Sequence, residues 1–227
     1  SFYNSLVAEL PPIDIFAPVY DISRPTEFEQ DFGQRIFLNT IGIYLQDQIT
    51  FADNLKLLVG GRFDVFQRKE ETLGEITGEE SLSAFNPRIG IVYQPIEPIS
   101  LYASYAQSFQ PDRFFGRSAT NDPFKPTRGT QYEVGIKADL SERLSATLAA
   151  FEITKTNVIT PDPIDPDLSI QVGEQRSQGI ELDISGEILP GWNIITSYAY
   201  IDAITSEDNN IPIGNRLINV PEHAVSL

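Results

Sequence analysis

The chain has 227 residues, 41% of them hydrophobic, with 14 Phe, 9 Tyr, no Cys and a formal net charge of −16. Without cysteine there is no disulfide framework and no thiolate metal site, and the acidic balance argues against a nucleic-acid groove, which needs clustered Lys and Arg. No apolar run approaches the ~18 residues of a transmembrane helix, but a membrane β-barrel escapes that test because its apolar residues occupy only every second position.

Acidic residues gather in three segments: Glu70, Glu71, Glu75, Glu79 and Glu80; Asp162, Asp165 and Asp167; and Glu207 with Asp208. Such runs read as solvated loops, and they lack the glycine-punctuated spacing of a calcium loop. The chain starts at Ser1 and stops inside what reads as another strand, so it is expected to be a piece of a longer protein.

Residues 1–34 carry Pro11, Pro12, Pro18 and Pro25 among Phe2, Tyr3, Phe16, Tyr20, Phe28 and Phe32. Proline excludes a central strand, and the aromatics exclude a flexible linker, so an ordered, packed loop is expected. A first strand is expected from about Arg35 to Thr50, with Ile41, Ile43 and Leu45 facing one way and Tyr44, Gln46 and Gln48 the other. After a turn at Ala52 to Asn54, a second strand covers Leu55 to about Gln67. A polar loop is expected from Lys69 to Ser83. The third strand, Phe85 to Gln94, and the fourth, Ile99 to Gln110, are joined through a short turn bracketed by Pro95 and Pro98.

A long loop, Pro111 to Arg128, leads into the hairpin of Gly129 to Asn157. In its first strand Thr130, Tyr132, Val134, Ile136, Ala138 and Leu140 oppose Gln131, Glu133, Gly135, Lys137 and Asp139. In its second the alternation slips between Leu148 and Phe151, where a bulge is expected to shift the register. The proline-rich stretch Thr160 to Asp167 reads as a loop. A seventh strand includes Gly179 to Ile188, an eighth covers Trp192 to Ala203, and a truncated ninth starts near His223.

Connections therefore alternate between short and long. In an up-and-down sheet this places all tight turns at one end and all long loops at the other, as in outer-membrane barrels. Strands of about eleven residues, tilted near 45°, rise about 25 Å, the height of an apolar membrane band. Phe51, Tyr93 and Trp192 lie near the short turns, where an interfacial aromatic girdle belongs. A soluble β-sandwich or small barrel is disfavoured, because charged residues recur on the second face of strand after strand and suit a wide, wet or plugged lumen. The expected fold is all-β: an antiparallel up-and-down transmembrane β-barrel segment.

Nine stretches in order resemble the barrel of TonB-dependent outer-membrane receptors, in the ferric-siderophore branch that includes the ferrichrome receptors. They are PPIDIFAPVY from Pro11, GIYLQDQ from Gly42, LLVGGRFD from Leu57, NPRIGIVYQP from Asn86, SLYASYAQSFQP from Ser100, GTQYEVGIK from Gly129, FEITKTNV from Phe151, QGIELDISGE from Gln178 and GWNIITSYAYIDA from Trp192. The resemblance spans essentially the whole chain. It implies that residues 1–227 form about eight strands and part of a ninth of a barrel with about 22 strands, whose plug domain and remaining strands lie elsewhere.

The family implies high-affinity uptake of ferric siderophores across the outer membrane, energised by the TonB complex through the plug, with the long loops extracellular. It is transport, not catalysis, and the single His is not read as one half of a nucleophile–base pair. No cofactor is expected, iron being carried only within the ligand. Implied partners are the ferric siderophore, TonB, and outer-membrane lipid and lipopolysaccharide. The alternatives are a receptor of the same type for cobalamin, haem or a carbohydrate, and a passive porin-like or adhesin-like barrel.

Ligand-binding candidates are Tyr20, Phe85, Phe109, Arg113, Phe114, Phe115 and Arg117, because aromatics and Arg high on a lumen suit an anionic or neutral iron chelate. They equally suit loop packing or an upper girdle. Arg62, Asp64, Arg88, Glu133, Lys137, Glu181 and Asp183 are expected on the inner wall, facing the plug or pairing across strands. His223, in VPEH, reads as structural or exposed rather than as a metal ligand.

Overall fold

The computed structural model describes residues 2–7, 29–111, 118 and 124–227, with side chains from residue 33 onward. Its elements are β1 (Phe2–Val7), β2 (Glu29–Ala52), β3 (Leu55–Thr72), β4 (Glu75–Ile96), β5 (Ile99–Gln110), β6 (Thr127–Ser141), β7 (Leu144–Pro161), β8 (Ser169–Leu189), β9 (Trp192–Glu207) and β10 (His223–Ser226). They hydrogen-bond in sequence order from β1 to β10, each antiparallel to its neighbour where the register is defined. Among the described residues there is no helix. The tight turns 53–54, 97–98, 142–143 and 190–191 fall at one end, and the stretches 111–126, 162–168 and 208–222 at the other.

Three sequence expectations change. First, Phe2–Val7 is a strand pairing with Glu29–Arg35, so part of the expected loop belongs to the sheet. The prolines that argued against a strand all lie between the two paired stretches, outside the described residues. Second, Lys69 to Ser83 is no loop. β3 and β4 continue to Thr72 and from Glu75, closing through Leu73 and Gly74 at φ of 52° and 88°. Two successive positive φ values make the tight primed turn whose twist matches that of paired strands. Leucine at its first position hides it from a sequence search for Asn-Gly or Asp-Gly. Third, β7 and β8 run past the expected ends to Pro161 and from Ser169. In the short connection the Asp162 carboxylate accepts the Ile164 and Asp165 amides at 2.7 and 3.2 Å, and that of Asp165 accepts the Asp167 amide at 3.1 Å. These acids hold the turn from within.

The contacts divide the chain into two units, residues 1–41 with 64–83, and residues 42–63 with 84–227. In the first, Leu73 N–H donates to the Gly33 carbonyl at 2.7 Å, Gln34 to Glu70 at 2.5 Å, and Arg68 and Lys69 pair with Glu70 and Glu71 at 2.9 and 2.8 Å. The adjacent Glu71 carboxylate holds the Lys69 ammonium above its usual pKa, at a position beyond the apolar stretch of β3.

The second unit shows what the sheet is for. Its register puts Leu101, Ile136, Leu148, Leu182 and Tyr198 in one row across β5 to β9. This apolar face stands clear: Tyr132, Val134 and Ile136 are 56%, 56% and 44% exposed. The polar face is the shielded one. Ala149 and Ala203, at 7% and 1%, lie on it, as does Thr205 at 4%. Among the described residues no large side chain is fully buried. A water-soluble sheet does the reverse, because each exposed Leu or Ile forgoes about 1.5–3 kcal/mol of burial. Lipid removes that conflict.

Aromatics mark the limits of the band. Phe51, Tyr93 and Trp192 stand exposed near the tight turns. Toward the other end, Tyr105 and Tyr132 pack with ring centroids 5.2 Å apart, and the same row continues through Glu152, Gln178 and Asp202. From Trp192 to Asp202 is about ten steps, roughly 33 Å along the strand and about 23 Å when tilted near 45°.

Candidate ligand-binding wall

On the polar face, alternation and glycine spacing place the functional groups. Gly135 on β6 lies opposite Tyr102 on β5, and a Cβ there would meet the Tyr102 ring at 2.5 Å, so the ring occupies the space the glycine leaves. From that position Tyr102 Oη donates to Glu133 Oε1 at 2.7 Å, while Gln131 Nε2 donates to Glu133 Oε2 at 3.0 Å. Both carboxylate oxygens are thereby engaged. Phe151 repeats the device over Gly179, whose added Cβ would come within 3.0 Å of the ring. The expected bulge between Leu148 and Phe151 is therefore corrected: pairing with β8 is unbroken from Leu144 to Lys155. The slip in the sequence is an aromatic placed on the polar face where a glycine faces it.

Glu181 and Asp183 follow on the same face, opposite Ala149 and Thr147, and Lys137 faces Thr147 from β6. Arg88 and Gly90 face Ala106 and Ser104, and the missing side chain at Gly90 leaves a hollow of about 470 Å³ bordered by Lys56, Leu58, Arg88 and Tyr102. Arg62 shares the parity of Leu58, and Asp64 is 4% exposed. The seven expected wall residues thus follow the polar parity of their strands.

The ligand-binding candidates fare differently. Phe109 faces Arg128 in the parity of Leu101 and Tyr105, on the apolar face. Phe85 shares the parity of Ile89 and Ile91, and its ring lies over Gly61, where a Cβ would meet it at 2.6 Å. Both share the outer-face parity of their strands, set by the same alternation that turns Ile89 and Leu101 outward, at a level beyond the Tyr105–Tyr132 row. Tyr20, Arg113, Phe114, Phe115 and Arg117 lie outside the described residues. His223 Nδ1 is 3.0 Å from Tyr198 Oη, with its ring 5.3 Å from that of Tyr200. Among the described residues no cluster of His, Asp or Glu could hold a metal.

At the long-connection end, a second hollow of about 310 Å³ opens between β5, β6, β7 and β8. A bulge shapes it, with the β7–β8 register shifting between Lys155 and Val158 and again before Ile159. Asn157 sits in that bulge at φ 58°. Its side chain donates to the Pro126 carbonyl at 2.9 Å, and Gln171 makes reciprocal 2.5 Å bonds with the Lys125 N–H and carbonyl. The end of the 111–126 stretch is thereby clipped to the β7–β8 hairpin. Sequence reasoning missed Tyr102, Lys155 and this clip. The signal for Tyr102 was a tyrosine on the polar parity of SLYASYAQS.

The protein-family model described as TonB dependent receptor-like, beta-barrel, matches residues 2–227. The chain belongs to this family. It is an outer-membrane receptor barrel segment, and its exposed apolar face is the lipid face. The Metal-pseudopaline receptor CntO of Pseudomonas aeruginosa PAO1 is 38% identical over 223 residues, 95% of this chain and 31% of that protein. The Ferrichrome outer membrane transporter/phage receptor of Escherichia coli K12 is 30% identical over 229 residues, 94% of this chain and 30% of that protein. The crystal structure of the siderophore receptor PiuA from Acinetobacter baumannii superposes with a TM-score of 0.75 at 27% identity, over 88% of this chain and 31% of that one. The receptor barrel segment thus spans about a third of the length of the relatives it matches.

Proposed function

We propose that this segment is the wall of a TonB-dependent receptor that takes up ferric siderophores across the outer membrane, with iron as cargo and no resident cofactor. The observation that carries this reading is the family match over residues 2–227, joined to a polar, shielded inner face and a hollow at its long-connection end. The wall binds and releases; Tyr102, Gln131 and Glu133 are engaged in hydrogen bonds that shape its surface. The relative named for metal-pseudopaline favours one second reading, a receptor for chelates of metals other than iron.

The test uses the full-length receptor in detergent, titrated with a panel of ferric siderophores and followed by intrinsic fluorescence quenching. Saturable submicromolar binding of one chelate class is expected. Absence of binding across the panel, together with open-channel conductance in planar bilayers, would sink the proposal in favour of a passive barrel. Tight binding of a non-ferric chelate alone would establish the second reading.

A further inference from the structure

The hollow at the long-connection end is lined by Gln110, Thr127, Lys155, Thr160, Pro161 and Ser169, among others. Its register places Lys155 on the polar face, opposite Gly129 on one side and Gln175 on the other. Neither neighbour is acidic, and the space beside Gly129 is taken by the neutral Ser108 hydroxyl, 2.7 Å from where a Cβ would stand. In a chain of net charge −16, Arg68, Lys69, Arg143 and Arg216 each hold a carboxylate, and among the described residues Lys155 has no ion pair. Among the described residues no carboxylate lines the hollow. Beside it, Thr160 is 2% exposed and its hydroxyl has no hydrogen-bond partner among the described residues.

We infer that this hollow is a subsite for a carboxylate-bearing arm of the metal chelate, with Lys155 as the residue that sets preference for anionic chelates. The inference rests on the receptor reading above and names the chemistry of its cargo. A volume of about 310 Å³ is at the small end for a whole ligand but ample for one arm. A compact ammonium with rotating donors suits a carboxylate as a point charge, and a charge-assisted bond is stronger than a neutral one. Pro111, Val158, Ile159 and Pro161 supply the apolar remainder of the lining. The Asn157 and Gln171 clip keeps the hollow formed before the ligand arrives, so less ordering is needed on binding.

The experiment titrates full-length wild type, Lys155→Gln and Lys155→Arg with ferric chelates of graded carboxylate content, including ferric citrate and a carboxylate-free trihydroxamate. Lys155 is exposed, so both variants should assemble, as checked by heat-modifiable gel migration. The expected result is at least tenfold weaker binding of carboxylate chelates by Lys155→Gln, with a shallower salt dependence. Lys155→Arg should recover most of the loss, and any trihydroxamate binding should be unchanged. If wild type binds chelates but Lys155→Gln matches it on every carboxylate member, or if only carboxylate-free chelates bind, the subsite is refuted while the receptor reading stands. If wild type binds no metal chelate at all, both fall.

Discussion

Gly179 and Gly135 look alike in sequence, yet they should respond very differently to alanine. The three atoms nearest a Cβ on Gly135 all belong to the Tyr102 side chain, at 2.5–2.6 Å. That ring is the end of a side chain and can swing away, at the cost of its hydrogen bond to Glu133, about 1 kcal/mol net. A Cβ on Gly179 would sit 2.2 Å from the Tyr200 carbonyl oxygen, which is backbone of the neighbouring strand. Relief there requires β8 and β9 to part locally, and Phe151 blocks the other side at 3.0 Å. Overpacking of this kind costs about 1–3 kcal/mol, and the backbone obstacle puts Gly179→Ala at or above the top of that range. Urea-midpoint shifts of the full-length receptor, read by heat-modifiable migration, should show Gly179→Ala losing at least about 3 kcal/mol and Gly135→Ala about 1. Equal losses, or a larger one for Gly135→Ala, would refute the argument that backbone rather than ring contact decides the cost.

Ile136 lies mid-band on the lipid face, so Ile136→Arg should cost about 2–4 kcal/mol and lower the yield of assembled barrel, whereas Gln131→Arg on the polar face should assemble normally in the same gel assay. Leu73 holds φ 52° at an exposed turn position, so Leu73→Asn should raise stability by about 1 kcal/mol in urea titration. Gln171→Ala removes the bonds to Lys125 and Asn157, so hydrogen exchange should show lost protection at residues 124–127 while strand cores keep theirs.

The barrel was legible because lipid and lumen impose opposite chemistry on alternate residues. Ile41, Ile43 and Leu45 announced an apolar face by parity alone, and they stand 72%, 72% and 78% exposed. Loop ends were less legible. Charge in KEETLGEITGEE read as a loop, but charge on a strand that rises beyond the membrane carries no penalty, so β3 and β4 simply continue through it. The functional site was least legible. Phe85 and Phe109 suit a binding pocket by residue type, while their parity is that of Ile89 and Leu101 on the outer face. Lys155 is an ordinary lysine in sequence. Its place on the rim of the long-connection hollow, between Gly129 and Gln175, shows only in the folded sheet.

The glycines opposite aromatics explain how a wall so rich in Tyr and Phe can still leave a wide lumen. An aromatic ring on the inner face would otherwise project from the wall and narrow the passage. Over Gly135 and Gly179 the rings of Tyr102 and Phe151 fill the space of an absent side chain and lean along the sheet. Tyr102 is then positioned to bind Glu133, which leaves that carboxylate fixed and partly neutralised in its hydrogen-bonding capacity. On the receptor reading proposed above, a bulky chelate passing this level would meet a hydrogen-bonded surface. The isolated ammonium of Lys155 stands nearer the outer end, where capture rather than passage is required. If the wall serves that receptor, the order of these features, an attractive charge first and hydrogen-bonded polar groups after it, would let a ligand be held strongly once and released inward without a second strong site.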